Sequence, residues 1–387
     1  MPRAHAERRA CGIQTAWTCA DTPDKAITEI AQVLDPSDIG QILVFFSQPY
    51  EAESLCAALS AKFPDVPVAG CSTSGEITSD GFSERSVLVV AFPEQGFHFE
   101  SSVIPDVNAL SVDRASEAVQ ALRARLDKPD GAHYDNLFAI SLIDGLSRCE
   151  EAIVSAIAWA LGDIPLVGGS AGDGLTLSGT SLLHNGRVYR GAALLLLVET
   201  EHPVRSFCCD HFEPTETKLV VTSSDTSTRT VYELNAEPAA LEYANSVGLE
   251  TSSLAPMSFA AHPVVVRIGG DYYCRSIQRV NDDGSLSFFC AIDDGVVLTV
   301  AEPRDMLKSM ETEMERLDEA VGGVDFVLGF ECVLRRLDAE NRQMKRKVSE
   351  LYRRYHVVGF HTYGEQYNAM HLNQTFTGVA IGRQGGA

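Results

Sequence analysis

Apolar and polar positions along this chain follow one order three times. Residues 42–46, within "QILVFF", are an unbroken apolar run, as in a strand covered on both faces. The next segment places Leu55, Ala58 and Leu59 on one side of a helix and predicts it over 51–62. A proline-bounded turn leads to a strand over 66–70, a loop of small residues and a strand over 86–92. The order returns with a strand over 137–142, a helix over 149–161, a Pro-containing strand over 164–168, a small-residue loop and a strand over 191–199. Its third occurrence is a strand over 326–333, a long helix over about 332–355, "VVGF", the loop "HTYGEQYN" and a last strand over 376–382.

The three loops are in register. "DVPVAGCSTSGE" and "DIPLVGGSAGDG" share an Asp-apolar-Pro entry, with Gly70 falling on Gly168 and Ser72 on Ser170. In "VVGFHTYGEQ", Gly359 falls on Gly70, Thr362 on Thr73 and Glu365 on Glu76. A self-match that keeps element order points to duplication. Between the second and third copies the pattern changes. "HPVVVRIGGDYYCRSIQRVNDDGSLSFFCAIDDGVVLTV" reads as antiparallel strands with hairpin signals at "GG" and "NDDG". Helices are expected at about 237–247 and 304–320, the second with Leu307, Met310, Met314 and Leu317 on one face.

The polar stretch "SSDTSTR" sets a boundary near 224. The expected organisation is a flexible tail over 1–14, one domain over 15–224 with two repeats, and a second over 225–387 with the third. The fold class is α/β, with mixed sheets built from repeated strand-helix-strand-strand units. Each unit's helix covers one sheet face, and the other face is buried most simply on a sister sheet, giving α-β-β-α layers.

Charge narrows the function. With 31 basic and 53 acidic residues the net charge is −22, which argues against nonspecific binding to DNA, RNA or anionic lipid. The ten cysteines include no CxxC pair. "MPRAHAERRACGIQ" lacks the apolar core of a secretory signal, and the longest apolar run is "AALLLLV" at 192–198. A soluble, cytoplasmic, reduced protein with buried cysteines is therefore expected.

The repeat loops carry the candidate chemistry. Glycines allow close backbone approach, and successive N–H groups can cradle an anion. A small polar ligand is expected at Cys71, Ser72, Thr73, Glu76, Ser170, Asp173, His361, Thr362, Tyr363, Glu365 and Gln366, unless these loops are simply tight turns copied with the strands. "GGSAG" at 168–172 fits G-x-S-x-G, but "DGLTLSGT" follows where a nucleophile elbow requires a helix, so a serine hydrolase using Ser170 is an alternative only. The ten histidines show no metal-binding spacing. Arg342, Lys345, Arg346 and Lys347 concentrate positive charge on the 332–355 helix, a dock for an acidic partner or a second subunit, or a solvated face.

"GCSTSGEI", "LIDGLSRCEEAIVSAI", "DIPLVGGSAGDG", "AAHPVVVRIGG" and "VVGFHTYGEQYNAMHLNQTFTGVAIG" together resemble the FIST family, from about residue 15 to near the end. The resemblance implies a sensory protein with an N-terminal and a C-terminal FIST domain. It would respond to a small ligand and act on a histidine kinase, a chemotaxis receptor or a cyclic-di-GMP enzyme. The chain carries no kinase or cyclic-di-GMP enzyme segment, so a stand-alone sensor subunit is expected. Within the family it looks similar to nitric-oxide-sensing haemoproteins. That likeness would imply haem b, with His262 (near Arg267) and His371 (beside Met370) as candidate axial ligands and His361 as an alternative. The remaining reading is a ligand-free adaptor that docks through the basic helix.

Overall fold

The computed structural model describes residues 4–126, 136–268 and 270–383. One unit, β-α-β-α-β-hairpin-β, is traced three times. An edge strand β1 (His5–Arg8) precedes unit 1, which holds β2 (Gln14–Thr18), α1 (Pro23–Ala31), β3 (Gln41–Phe46), α2 (Ala52–Lys62), β4 (Val68–Ser72), the hairpin β5 (Glu76–Thr78) and β6 (Gly81–Ser83), and β7 (Val87–Phe92). Unit 2 holds β8 (Phe97–Ile104), α3 (Val112–Leu126), β9 (Asn136–Ile143), α4 (Glu150–Leu161), β10 (Leu166–Ser170), the hairpin β11 (Leu182–His184) and β12 (Arg187–Tyr189), and β13 (Ala193–Thr200).

Unit 3 opens with β14 (Val204–Cys209) and then departs into an insert. The insert contains β15 (Phe212–Asp225), β16 (Thr230–Leu234), β17 (Glu237–Pro238), α5 (Ala239–Val247), α6 (Pro256–Ala261), β18 (Val264–Ile268), β19 (Asp271–Arg275), β20 (Ile277–Val280), β21 (Leu286–Phe288) and β22 (Val297–Pro303). The unit resumes with α7 (Met306–Ala320), β23 (Val324–Cys332), α8 (Val333–Asn341), α9 (Lys345–Arg354), β24 (Val357–Thr362), the hairpin β25 (Glu365–Tyr367) and β26 (Met370–Leu372), and β27 (Phe376–Gly382).

The hairpins are exchanged in a cycle. Unit 1's β5–β6 extends unit 3's sheet beside β24, unit 2's β11–β12 extends unit 1's sheet beside β4, and unit 3's β25–β26 extends unit 2's sheet beside β10. The sheet orders are β1-β2-β7-β3-β4-β11-β12, β26-β25-β10-β9-β13-β8 and β14-β27-β23-β24-β5-β6; the insert forms a fourth sheet.

Each unit sheet is apolar on both faces, which is why its strands read as unbroken runs. The inner faces share one core, with Phe45, Leu88, Leu142, Leu194, Phe330, Phe360 and Val379 among its members. The outer faces bury α1 and α2, α3 and α4, and α7 and α9. The sister-sheet packing expected from the sequence therefore involves three sheets around one core. Local signals fix the helix starts: Glu51 accepts from Glu53 N and Ser54 N ahead of α2, and Asp305 accepts from Lys308 N ahead of α7.

Some expectations change. The presumed tail pairs as β1 with β2 and places Cys11 and Ile13 in the core, where Cys11 N also donates to Asp325 (2.8 Å). Residues 1–3 and 384–387, the outer ends of the expected tail and second domain, lie outside the described residues. The boundary near 224 falls at the end of β15, already inside the insert. The long helix is two helices, broken at Gln343 (φ 57°) because its halves bury different faces. α8 turns Arg335, Arg336 and Asp338 inward, whereas α9 buries Val348, Leu351 and Tyr352.

The glycine shared by the three loops has a steric cause. A Cβ on Gly70, Gly168 or Gly359 would lie 1.9, 2.0 or 1.8 Å from the carbonyl oxygen of Val44, Ser141 or Gly329 on the parallel neighbour. Gly168→Ala is therefore expected to destabilise the protein by about 3 kcal/mol in urea unfolding; an unchanged midpoint would refute the contact.

Candidate functional site

The three loops meet at the centre of the molecule and close two rings of backbone hydrogen bonds. In one ring Ser74 N donates to His361 O (2.9 Å), Gly172 N to Ser72 O (3.0 Å) and Tyr363 N to Ser170 O (3.4 Å). In the other, Ser72 N donates to Ser181 O (2.9 Å), Ser170 N to Gly364 O (2.8 Å) and His361 N to Gly75 O (2.8 Å). Every bond joins one unit to another, which positions Ser72, Ser170 and His361 as equivalents.

The loop residues expected to hold a ligand are all buried and largely partnered with one another. Glu76 accepts from Ser47 Oγ (3.0 Å), Thr73 Oγ1 (2.5 Å) and Ser86 Oγ. Glu365 accepts from Thr375 N (3.1 Å) and Oγ1 (2.7 Å), ten residues on as Ser86 is from Glu76. Unit 2 has Leu182 in that place, by the shared register against β4. Burial pushes Glu76 up to about 7, and Glu365 well above the usual carboxylate range. Gln366 Nε2 donates to Ser170 Oγ (2.9 Å), Thr362 Oγ1 to Gly364 O (2.6 Å), and Cys71 faces the shared core.

Asp173 works differently. It accepts from Leu177 N, Ser178 N and Gly179 N (2.8, 2.7 and 2.9 Å) and from Tyr363 Oη. Burial alone would raise its carboxyl, but the Tyr363 hydroxyl and these backbone donors outweigh it and bring it to about 2. Asp173 thus shapes the 173–179 loop and ties it to unit 3.

Beneath the rings lies a buried charged network that includes two arginines of α8. Arg335 Nε meets Glu331 Oε1 (3.2 Å), Arg335 Nη1 meets His211 Nδ1 (2.6 Å), and His211 Nε2 stands 3.4 Å from Asp338. Arg336 Nη1 donates to Ser74 O (2.6 Å), and so joins this network to the first ring. The His361 ring packs edge-on against Phe82, with Nδ1 3.4 Å from Glu331 and no hydrogen-bond partner on either nitrogen. Burial, then the neighbouring Arg336, Lys345 and Arg335, hold His361 well below its ordinary pKa. Burial, then Arg335, lowers His211 to about 4. Glu331 Oε2, Arg335 Nη2 and Arg336 Nε also have no hydrogen-bond partner among the described residues. Groups of this kind are commonly satisfied by internal water.

An open cleft lies elsewhere, on the seam between the three-unit core and the insert. A polar cleft of about 370 Å³ is lined by the loop after β9, Leu177 from the loop that Asp173 shapes, and the insert residues Arg229, Arg279 and Asn281. Arg229 crosses the seam, with Nη2 donating to Glu150 (2.5 Å) and Glu151 (2.6 Å) at the start of α4, and Nη1 to Phe289 O (2.6 Å). Burial pushes Glu150 up to about 7, against the pull of Arg229. Tyr363, Leu146, Leu177 and Phe289 form the apolar floor of the seam. Sequence reasoning missed this site because Arg148, Arg229 and Arg279 lie on three distant segments with no common pattern.

The other expected residues lie as follows. Ser170 is fully buried, and a loop leading to β11 follows its strand, so the helix of a nucleophile elbow is not there. His262 is half-buried at the end of α6, and its carbonyl accepts from Tyr243 Oη (2.6 Å). His371 is buried with Nδ1 unpaired, and burial lowers it to about 4. Arg342 pairs with Asp338 (2.7 Å), Lys345 with Glu340 (3.6 Å) and Arg346 with Glu350 (2.9 Å); Lys347 has no ion pair among the described residues. All ten cysteines are unpaired, and seven are buried. No described helix is long and apolar enough to cross a membrane.

Three fused units around one core, with an inserted sheet closing a polar cleft against them, define a duplicated α/β module. Residues 41–237 match the FIST N domain model and residues 239–368 the FIST C domain model, so the chain belongs to the FIST family, whose domains are sensory parts of signalling proteins. No curated protein matches it. The division between the two family domains falls inside the insert, at β17 and α5.

Glu76 gives a pH test of the ring centre. Its folded pKa of about 7 exceeds the ordinary glutamate value of 4.5, so it lowers stability as pH rises through that window. The depressed histidines His211 and His371 act oppositely between about 4 and 6.5, so the informative quantity is the difference between wild type and Glu76→Gln. Urea unfolding is expected to show the variant gaining on wild type by on the order of 3 kcal/mol between about pH 5 and pH 8. A pH-independent difference would contradict the buried-carboxyl assignment.

Proposed function

We propose that this protein is a cytoplasmic sensor subunit that takes up a small polar ligand in the core–insert cleft and regulates a histidine kinase or a cyclic-di-GMP enzyme. One observation carries the reading: the cleft lies on the seam between the three-unit core and the insert, which forms a sheet of its own, and Arg229 spans that seam. A ligand held by both sides favours one relative placement of core and insert, and differential affinity of this kind shifts a conformational equilibrium. The surface that meets the partner would then change with occupancy. Docking through Arg342, Lys345, Arg346 and Lys347 is less favoured than the sequence alone implied, because three of the four are already paired. The reading assigns no catalytic role to Ser170.

Haem is not part of this proposal, because the residues around the candidate ligands do not fit it. The His371 ring packs so closely on Gly364 that a Cβ there would lie 2.2 Å from Cε1 and 2.5 Å from Nε2. None of His262, His371 and the fully buried His361 lines the seam cleft or a second groove beside Trp159 among the described residues. A macrocycle needs a free imidazole nitrogen above an apolar slot. Protein produced with haem supply is therefore expected to show no Soret absorption; a stoichiometric Soret band would reverse this assignment.

The sensor reading is tested by adding the purified protein to the histidine kinase or cyclic-di-GMP enzyme encoded nearest its gene. A several-fold change in autophosphorylation or nucleotide turnover is expected. Rates unaffected by saturating protein would overturn the regulatory role.

A further inference from the structure

We infer that the seam cleft binds a small, multiply charged oxyanion, a metabolite bearing phosphate or two carboxylates. This rests on the sensor reading above and names the ligand class for its site.

The first ground is charge. The cleft is lined by Arg148, Arg229 and Arg279, and none of its described lining residues is acidic, the carboxylates of Glu150 and Glu151 lying behind Arg229, although acidic residues outnumber basic ones by 53 to 31 in the chain. Such a concave positive site in an acidic protein focuses the field for an anion and repels the protein's own surface.

The second ground is an unmet donor. Arg229 is 7% exposed, and Nη1 and Nη2 are engaged by Phe289 O, Glu150 and Glu151, which fixes the guanidinium plane. Its Nε is buried and has no hydrogen-bond partner among the described residues. Burial alone would lower the Arg229 pKa, but Glu150 and Glu151 outweigh it and raise it, so the group stays charged. A third ground is the state of the other two arginines. Arg148 is exposed and makes no hydrogen bond or ion pair among the described residues. Arg279 Nε donates only to the neutral Asn281 (3.2 Å). Planar guanidinium forks match carboxylate and phosphate oxygens in pairs, which neutral cleft walls do not. The volume of about 370 Å³ suits a small metabolite.

The test is isothermal titration calorimetry at low ionic strength, with inorganic pyrophosphate in one arm and succinate in the other. Wild-type protein is expected to bind at least one of them at a single site, and the arm that binds separates the phosphate class from the carboxylate class. Arg148→Gln combined with Arg279→Gln is expected to weaken binding by about tenfold or more. Both positions are exposed, and unchanged circular dichroism and melting temperature serve as the folding control. Failure of both anions to bind wild type, or undiminished binding by the folded double variant, would overturn the inference. If the partner enzyme still responds while neither anion binds, this inference alone falls. If an anion binds at the arginines but no partner responds, the sensor reading falls and the site stands.

Discussion

The structure depends on two closed rings of backbone hydrogen bonds in which each unit's loop is held by the next. No ring can form within one unit. Ser74 needs His361, Gly172 needs Ser72, and Tyr363 needs Ser170, with separations along the chain of up to 287 residues. The hairpin exchange is the same constraint seen at the level of sheets, since each hairpin follows directly from its loop into a neighbour's sheet edge. The hairpins cover the β4, β10 and β24 edges, so that on this side the sheets end on the short strands β12, β26 and β6, and short edges limit association.

The rings explain why chemically attractive loops are not an open pocket. The small residues are small because three loops must pack into one place: a Cβ on Gly172 would lie 2.3 Å from Ser74 Oγ. The carboxylates and hydroxyls satisfy groups there that water cannot reach freely, and the three loops have diverged in how they do so. Unit 1 uses Glu76 with three hydroxyls, unit 2 uses Leu182, and unit 3 uses Glu365 with Thr375. Asp173 and Tyr363 then carry this centre outward, because the loop they anchor supplies Leu177 to the seam cleft. Centre and cleft are mechanically connected although only the second is open.

Much of the fold was legible in the sequence. The strand expected over 376–382 is β27 to the residue, and the helix over 51–62 differs from α2 by one residue. Both follow from local periodicity and capping. The equivalence of Gly70, Gly168 and Gly359 was legible as well, and its cause is a clash with the adjacent parallel strand. Arg335 and Arg336 were not legible as interior groups, because arginines at helical spacing ordinarily mark a solvated face. Only the corner between β14 and β15, which brings His211 against Arg335, makes that face interior. The insert was seen as a different region, but that it interrupts a third unit between β14 and α7 was not visible, since β14 reads VRSFCC, without the unbroken apolar run that announces β3.

By itself, then, the sequence determined the repeated unit, its secondary structure, its obligatory glycines and the family, because these are set by interactions a few residues apart or by copies that can be compared. Tertiary structure alone decided which unit receives which hairpin, which hydroxyls and charges are sealed inside, and where the chain is open to a ligand. The reason is physical: burial and the pairing of charges are properties of distant segments brought together. Arg148, Arg229 and Arg279 become one site only when the insert closes on the core.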